Sequence, residues 1–365
     1  MTKYRVGIMG CGRISNQYLQ NFRDWFPATV ELAACADINA DAARAIAKEY
    51  GIARVESPEE LIADSGVDVV LNLTNPWAHT EINRAALDAG KHVYAEKPLA
   101  LTREDARTVI ELADEKGLRV GCAPDTFLGA GLQTCIKLVD EGWIGEPSAA
   151  TAQIVMGHAA TSARYQSAGI GGVLLDMGPY FVTALIAMFG PVRRVAGFTR
   201  VSAESRTITD MRHAEFGTSF PVEAPTTVAG TLEMDAGVLA HLTTTVDGHT
   251  YGPSLSVVGS EGMLVCNDPN MFGGEVWIER RGGERLRMPL THQYNDRNRG
   301  LGLVEMMVAA DAGRPHRASG RLAYHCLDTL LALTESAADG RYREPERMCE
   351  RPERFAPGHV ASPLL

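Results

Sequence analysis

The stretch Gly10-Cys11-Gly12-Arg13-Ile14-Ser15 decides the fold, because it stands between an apolar run at residues 4–9 and a helical pattern. A glycine-rich turn that leads from a strand into a helix is typical of sites that bind the pyrophosphate of a dinucleotide. Gly10 permits the tight turn, and Gly12 lets the backbone approach the pyrophosphate. The pyrophosphate would lie at the helix N-terminus beside Arg13 and Ile14. Ser15 replaces the usual third glycine and is small enough to keep helix and strand close.

Strand and helix patterns alternate regularly over the first third of the chain. Ser57-Pro58-Glu59-Glu60 predicts a capped helix start, and Gly51, Gly90 and Gly117 stand where helices end. The predicted strands cover residues 4–9, 30–36, 53–56, 67–73, 92–95 and 119–123. Strands in this alternation predict a doubly wound α/β Rossmann domain over residues 1–123.

The remaining residues, 124–365, predict an α+β domain with an open, mostly antiparallel sheet. Hairpin turns are expected at Asp235-Ala236-Gly237, at Ser260-Glu261-Gly262 and around Gly282-Gly283. The other predicted elements are helices at 132–140, 173–189, 302–312 and 319–338 and a strand at 148–156. We expect this domain to bind substrate and to form a homodimer or homotetramer, because an exposed sheet face is normally covered.

Composition excludes several classes of partner. The chain has 365 residues and a net charge of −10, which disfavours nucleic acid and anionic membranes as partners. Seven cysteines without a CxxC pair predict a reduced, cytoplasmic compartment and no metal site. We find no signal segment at the N-terminus and no apolar run that approaches the ~20 residues of a membrane helix.

Two further segments point to the cofactor. Asp37 ends the second predicted strand, where a carboxylate would accept from the ribose hydroxyls and repel a 2′-phosphate, so NAD is favoured over NADP. Thr74 and Asn75 end the fourth strand, at the edge where such domains bind ligands. Trp77 and His79 either contact the cofactor or cap the following helix, and the sequence leaves both interpretations open.

Ala95-Glu96-Lys97-Pro98-Leu99 follows the fifth predicted strand, where Glu96 and Lys97 would lie beside the nicotinamide. Alone, Glu-Lys-Pro is most often a surface turn. With the glycine turn, the Thr74-Asn75-Pro76 loop and the segment Gly171-Gly172-Val173-Leu174-Leu175-Asp176-Met177-Gly178-Pro179-Tyr180, its order and spacing resemble the Gfo/Idh/MocA oxidoreductase family over nearly the whole chain. The resemblance implies a Rossmann domain plus an open-sheet domain, action on sugars and cyclitols, and catalytic roles for Lys97, Asp176 and residue 180.

Position 180 departs from the family, which usually has histidine where this chain has Tyr180. The reference pKa of tyrosine is about 10, so the phenolate would need the positive charge of Lys97 nearby. Alternatively, Lys97 itself takes the proton and Asp176 orients a substrate hydroxyl. Asp176 as a helix cap and Tyr180 as a core side chain are the structural alternatives.

A second departure lies at Ala123-Pro124-Asp125-Thr126-Phe127, where many relatives carry a basic run. Asp125, together with Phe127, is therefore a candidate for binding sugar hydroxyls. Polar and aromatic groups in predicted loops add further substrate candidates: His158, Arg164, Tyr165 and His292. An anionic sugar, such as a uronate or a sulfosugar, becomes plausible if Arg164 or Arg317 faces the pocket.

The leading hypothesis is reversible oxidation of a secondary hydroxyl on a sugar, glycoside or cyclitol, with NAD as cofactor. The alternative is an NAD-dependent glycoside hydrolase that oxidises carbon 3 transiently, eliminates the aglycone, adds water and returns the hydride, with a sulfoquinovoside as one conceivable anionic substrate. A third hypothesis is a non-catalytic NAD-binding regulator.

Overall fold

A computed structural model describes residues 3–157, 169–209, 211 and 215–358. The described residues form two compact units. The first unit contains residues 3–129, 293–324 and 355–358, and the second contains the described parts of 130–292 together with 325–354. The two units do not follow a single cut after residue 123, because residues 293–324 return to the first unit.

The first unit is built on a parallel sheet. Its strands are β1 (Tyr4–Met9), β2 (Val30–Ala36), β3 (Arg54–Glu56), β4 (Val69–Asn72), β5 (His92–Ala95) and β6 (Val120–Cys122). Its helices are α1 (Ser15–Trp25), α2 (Ala40–Tyr50), α3 (Pro58–Ala63), α4 (His79–Asp88) and α5 (Arg103–Lys116). The strand order is β3-β2-β1-β4-β5-β6, which confirms the predicted doubly wound sheet.

Local sequence signals account for these helix ends. The Ser57 side chain accepts from the backbone of Glu60, whose carboxylate accepts in return from the Ser57 N–H, and this capping box begins α3. Thr102 caps α5 through its side chain. Gly51 and Gly117 end α2 and α5 in the left-handed conformation. The capping predictions are therefore confirmed.

The second unit is built on an eight-stranded sheet. Its helices and strands begin with α6 (Ala130–Asp140), β7 (Pro147–Gly157), α7 (Gly172–Phe189), β8 (Val192–Arg200), β9 (Ser205–Thr207) and β10 (Ser219–Pro221). Six strands follow: β11 (Thr227–Met234), β12 (Leu239–Gly248), β13 (Gly252–Gly259), β14 (Gly262–Val265), β15 (Val276–Arg280) and β16 (Arg285–Met288). The sheet order is β16-β15-β14-β13-β7-β12-β11-β8, with β9 and β10 paired separately. Neighbours are antiparallel except β7 and β12, so the mostly antiparallel sheet is confirmed.

The last two helices of the chain are α8 (Leu301–Asp311), which belongs to the first unit, and α9 (Gly320–Asp339). A third helix, α7, forms the core of the second unit. Helix α7 packs against β7, β11 and β12. The expectation that no apolar run approaches the length of a membrane helix is wrong for these 18 residues, which would suit a span by length and composition alone. However, 94% of the helix is buried inside the protein. We therefore describe α7 as a core helix.

Candidate functional site

The two glycines of the turn after β1 differ in the space around them: Gly10 is tightly packed, and Gly12 leaves room for a ligand. Gly10 has φ +97°, and a Cβ there would lie 2.8 Å from the backbone carbonyl of Leu73. Gly12 is exposed, and nothing lies within 4 Å of the place where its Cβ would be. Ser15 donates from Oγ to the Gly12 carbonyl at 2.6 Å and begins α1. The backbone at Gly12 is thus open to a close approach.

The N-terminus of α1 fits a negatively charged group. Its N-cap residue, Ile14, makes no side-chain cap bond, and the first turn carries no acidic residue. Arg13 is exposed directly before it. Amides without side-chain caps and the positive end of the helix dipole favour an anion here. These residues therefore fit the pyrophosphate of a dinucleotide.

Asp37 fixes the same turn at the end of β2. Its Oδ2 accepts from the backbone N–H of Cys11 at 2.7 Å, and its Oδ1 accepts from that of Asn39 at 2.8 Å. A carboxylate has roughly four acceptor positions, so lone pairs remain for ribose hydroxyls. The half-buried carboxylate therefore supports the turn and still suits the predicted ribose contact.

His79 lies in the interior, and its burial disfavours the first of its two interpretations, a contact with the cofactor. The side chain is 0% exposed, and its Nδ1 and Nε2 lie 2.7 Å from the Pro98 carbonyl and 3.1 Å from the Thr74 carbonyl. Burial lowers the pKa of His79. The imidazole joins the loops that follow β4 and β5. Trp77, in contrast, is 52% exposed, and Asn75 is also exposed.

In the turn after β5, the half-buried Lys97 follows a buried glutamate, Glu96, which holds the turn in place. Glu96 accepts from the Tyr18 hydroxyl at 2.8 Å and from the backbone N–H of Lys97 at 3.1 Å. The Glu96 carboxylate thus holds the turn from inside, and this contact accounts for its place in the motif better than a direct cofactor contact does.

The prediction that Asp125 and Phe127 bind sugar hydroxyls is corrected by their burial. Asp125 is 0% exposed and Phe127 is also buried. The Asp125 Oδ2 accepts from the backbone N–H groups of Gly300 and Gly302 at 2.8 and 3.0 Å, at the start of α8. Burial raises the pKa of Asp125 to about 6. The carboxylate therefore joins the start of α8 to the loop that follows β6, both in the first unit, and does not line a substrate surface.

The raised pKa of Asp125 predicts a pH-dependent stability. Since the folded-state pKa exceeds the unfolded value of about 3.9, the native protein binds this proton more tightly. The stabilisation is complete below about pH 4 and is lost as the pH rises through about 6, by about 2–3 kcal/mol in total. Asp125→Asn keeps an oxygen acceptor and removes this titration.

Urea unfolding at pH 4.5, 5.5, 6.5 and 7.5 measures the effect. We expect the unfolding free energy of Asp125→Asn to rise relative to that of the parent as the pH rises. Asp114→Asn, at an exposed ion pair with Arg321, is the matched control and should track the parent. A constant difference between Asp125→Asn and the parent at all four pH values would contradict the assignment.

Asp176 and Tyr180 lie on one face of α7. They are four residues apart, which places them one turn from each other. Asp176 is the one residue of Gly172–Phe189 that is not buried, and Tyr180 is 5% exposed. The N-cap residue of the helix is Gly171, five residues before Asp176, so Asp176 does not cap it.

The other substrate candidates separate into three groups. His292 is buried, with Nδ1 3.0 Å from the Thr291 hydroxyl. Arg317 forms an ion pair with the buried Glu305 at 2.7 Å, so it gives no support to an anionic substrate. His158, Arg164 and Tyr165 lie outside the described residues.

The sequence reasoning missed polar groups near Tyr180. The Tyr251 hydroxyl donates to Asp268 Oδ2 at 2.8 Å. Burial raises the pKa of Tyr251, and Asp268 and the nearby Tyr180 add to that effect. The signal that could have found them is Asp268-Pro269-Asn270, a polar turn directly after an apolar strand.

Comparison with known proteins gives the family. A family model described as "Oxidoreductase family, NAD-binding Rossmann fold" matches residues 4–123, and one described as "GFO/IDH/MocA C-terminal domain" matches residues 132–265. A curated relative, dTDP-3,4-didehydro-2,6-dideoxy-alpha-D-glucose 3-reductase of Streptomyces violaceoruber, is 33% identical over 296 residues, 79% of this chain and 81% of that protein. The chain belongs to the Gfo/Idh/MocA oxidoreductase family. Its first unit is an NAD-binding Rossmann domain.

Other members of the family extend this comparison. Inositol 2-dehydrogenase 3 of Saccharopolyspora erythraea is 34% identical over 144 residues, 39% of this chain and 42% of that protein. The structure of levoglucosan dehydrogenase in complex with NADH and L-sorbose superposes with a TM-score of 0.81 at 21% identity, covering 95% of this chain and 100% of that one. The structural likeness confirms the family fold over nearly the whole chain.

Proposed function

We propose that the protein transfers a hydride between NAD and a secondary hydroxyl of a sugar, glycoside or cyclitol. The observation that carries this proposal is Lys97, which follows the fifth strand of an NAD-binding Rossmann domain and rests on the buried Glu96. Family membership supports the oxidoreductase class. Two relatives, a reductase of a dTDP-linked dideoxyglucose derivative and an inositol 2-dehydrogenase, support a polyhydroxylated substrate.

The residues that would hold the cofactor lie at the carboxyl ends of β1, β2 and β4. They are Gly10, Gly12, Arg13, Ile14, Asp37, Thr74, Asn75 and Trp77. A bound NAD would supply a nicotinamide ring that can accept a hydride from the carbinol carbon of the substrate. Lys97 or Tyr180 takes the hydroxyl proton, and Asp176 accepts a hydrogen bond from a neighbouring substrate hydroxyl and so orients the substrate. The product is the corresponding ketone.

Incubation of the purified protein with NAD and a panel of cyclitols, sugars and glycosides tests this proposal. Accumulation of NADH with formation of a ketone supports the dehydrogenase. Release of the aglycone with catalytic NAD and no accumulation of NADH would instead support the redox-neutral glycosidase. NAD binding without turnover of any compound would favour the non-catalytic regulator.

Cofactor preference follows from the carboxylate at the end of β2. Asp37→Asn removes the charge that repels a 2′-phosphate and weakens the acceptor for ribose hydroxyls. We expect the ratio of NAD to NADP affinity to fall by about tenfold or more, which corresponds to about 1.4 kcal/mol. Calorimetric titration with both cofactors measures it. Asp41→Asn removes an exposed charge from α2 and is the control; tighter NADP binding by the parent would contradict the prediction.

We also propose a homodimer or homotetramer that forms through the sheet of the second unit. Phe198, Leu239 and Val258 are exposed apolar side chains on strands of that sheet. Covering such a surface is the usual reason for association. Sedimentation velocity tests this, and a monomer would contradict it.

The seven cysteines are all free thiols, which supports a reduced, cytoplasmic location.

A further inference from the structure

A loop of the second unit is folded around a buried amide. The loop covers residues 266–273, between β14 and β15. Asn267 is buried, and its Nδ2 lies 3.0, 3.1 and 2.9 Å from the carbonyl oxygens of Asp268, Met271 and Gly273. The Phe272 carbonyl also accepts from the backbone N–H of Gly131, in α6. The loop is therefore held in one conformation from inside.

This loop presents one carboxylate with both oxygens fixed. Asp268 Oδ1 accepts from the backbone N–H of Asn270 at 2.9 Å, and Oδ2 accepts from the Tyr251 hydroxyl at 2.8 Å. Asp268 is half-buried, so its carboxylate is open to solvent on part of its surface. Each carboxylate oxygen has about two acceptor positions, and one on each remains for a ligand.

An accessible aromatic ring lies beside the carboxylate. Tyr251 lies in the turn between β12 and β13 and is 48% exposed. Tyr180 lies on α7, which packs against β12, the strand that leads into this turn. The effect of Tyr180 on the pKa of Tyr251 agrees with this placement. These groups suit a polyhydroxylated ring. The aromatic face of Tyr251 matches the apolar C–H surface of such a ring, and the Asp268 carboxylate and the Asn270 amide, held by a rigid loop, match its hydroxyls.

We propose that Asp268, Tyr251 and Asn270 bind hydroxyls of the substrate beside Tyr180 and select neutral polyhydroxylated substrates over anionic ones. The inference rests on the proposed function. Asp268 accepts from two neighbouring substrate hydroxyls. The same carboxylate repels a carboxylate or sulfonate on a competing ring, because like charges at short range disfavour binding.

Kinetics with matched neutral and anionic substrates tests the inference. The probes are glucose and myo-inositol as neutral compounds and glucuronate as the anionic counterpart of glucose. We expect Asp268→Asn to raise KM for the neutral compounds about tenfold with an unchanged Kd for NAD, and to narrow the preference for glucose over glucuronate. Tyr251→Phe, which keeps the ring, should raise KM by a smaller factor. Glu284→Gln removes an exposed charge from the hairpin turn between β15 and β16 and is the control.

Each outcome separates the inference from the function on which it rests. Turnover with unchanged KM in Asp268→Asn and in Tyr251→Phe overturns the inference and leaves the proposed function intact, as does a parent preference for glucuronate. Calorimetric binding of the same probes to the NADH complex of Lys97→Met gives a readout without turnover. Absence of both turnover and binding overturns the proposed function and the inference together.

Discussion

Lys97→Met is expected to lower kcat by about 10²- to 10⁴-fold, the range in which a positioned proton-transfer group contributes. Methionine keeps the length of the side chain and removes the amine. Because Glu96 fixes the turn through the backbone N–H of Lys97, the substitution leaves that support in place. The Kd for NAD and the melting temperature should therefore stay near those of the parent. Steady-state kinetics and calorimetry measure the two effects separately.

The control is Lys116→Met, since Lys116 forms a surface ion pair with Asp88. It should retain the parent kcat. Tyr180→Phe, alone and combined with Lys97→Met, then distinguishes the two possible bases. If the two groups act as a unit, the double variant loses little more than the worse single variant. Parent-like turnover by Lys97→Met on every active substrate would remove Lys97 from catalysis.

Gly10→Ala is expected to destabilise the protein by about 2–6 kcal/mol. A left-handed conformation costs a residue with a Cβ about 1–3 kcal/mol, and forcing a new atom into a filled space adds about 1–3 kcal/mol. Both costs apply, because Gly10 has φ +97° and its Cβ would lie 2.8 Å from the Leu73 carbonyl. The backbone of Leu73 and Thr74, directly after β4, cannot yield as a flexible side chain can. Urea unfolding measures the loss.

Gly12→Ala is the matched variant, two residues away in the same turn. Its Cβ would meet no protein atom within 4 Å, so the unfolding free energy should stay near that of the parent. The methyl group would lie where the pyrophosphate approaches the backbone, and we expect NAD affinity to fall about tenfold or more. Equal loss of stability in both variants, or unchanged NAD affinity in Gly12→Ala, would contradict this account of the turn.

Features that depend on short-range patterns were predicted well from the sequence. Strands β1, β2 and β5 have the predicted bounds, because a parallel strand buried on both faces is a continuous apolar run. A continuous apolar run of helix length, residues 173–189, likewise assigned Asp176 and Tyr180 to one helix. Their four-residue spacing then places them on one face.

The failures have a different physical origin. Asp125 reads as a polar loop residue, but its partners are the backbone N–H groups of Gly300 and Gly302, which are far away in the chain. His79 likewise contacts the Pro98 carbonyl in the next loop. A backbone N–H or carbonyl group leaves no mark in the residue type, so sequence patterns could not show that these side chains are buried. Tyr251 and Asp268 were missed for a different reason, since their hydrogen bond joins two side chains that meet only when the hairpin and the loop fold together.

The return of residues 293–324 to the first unit has a consequence for synthesis on the ribosome. Asp125 and Gly121 both contact this late segment, through Gly300, Gly302 and Ser319. Domains at the N-terminus usually fold first, as soon as they have emerged. Here the nascent chain must extend beyond α8 before the last strand of the Rossmann sheet gains its final neighbours. The nucleotide-binding unit is therefore completed after most of the second unit has been translated, although its strand β1 precedes that unit in the chain.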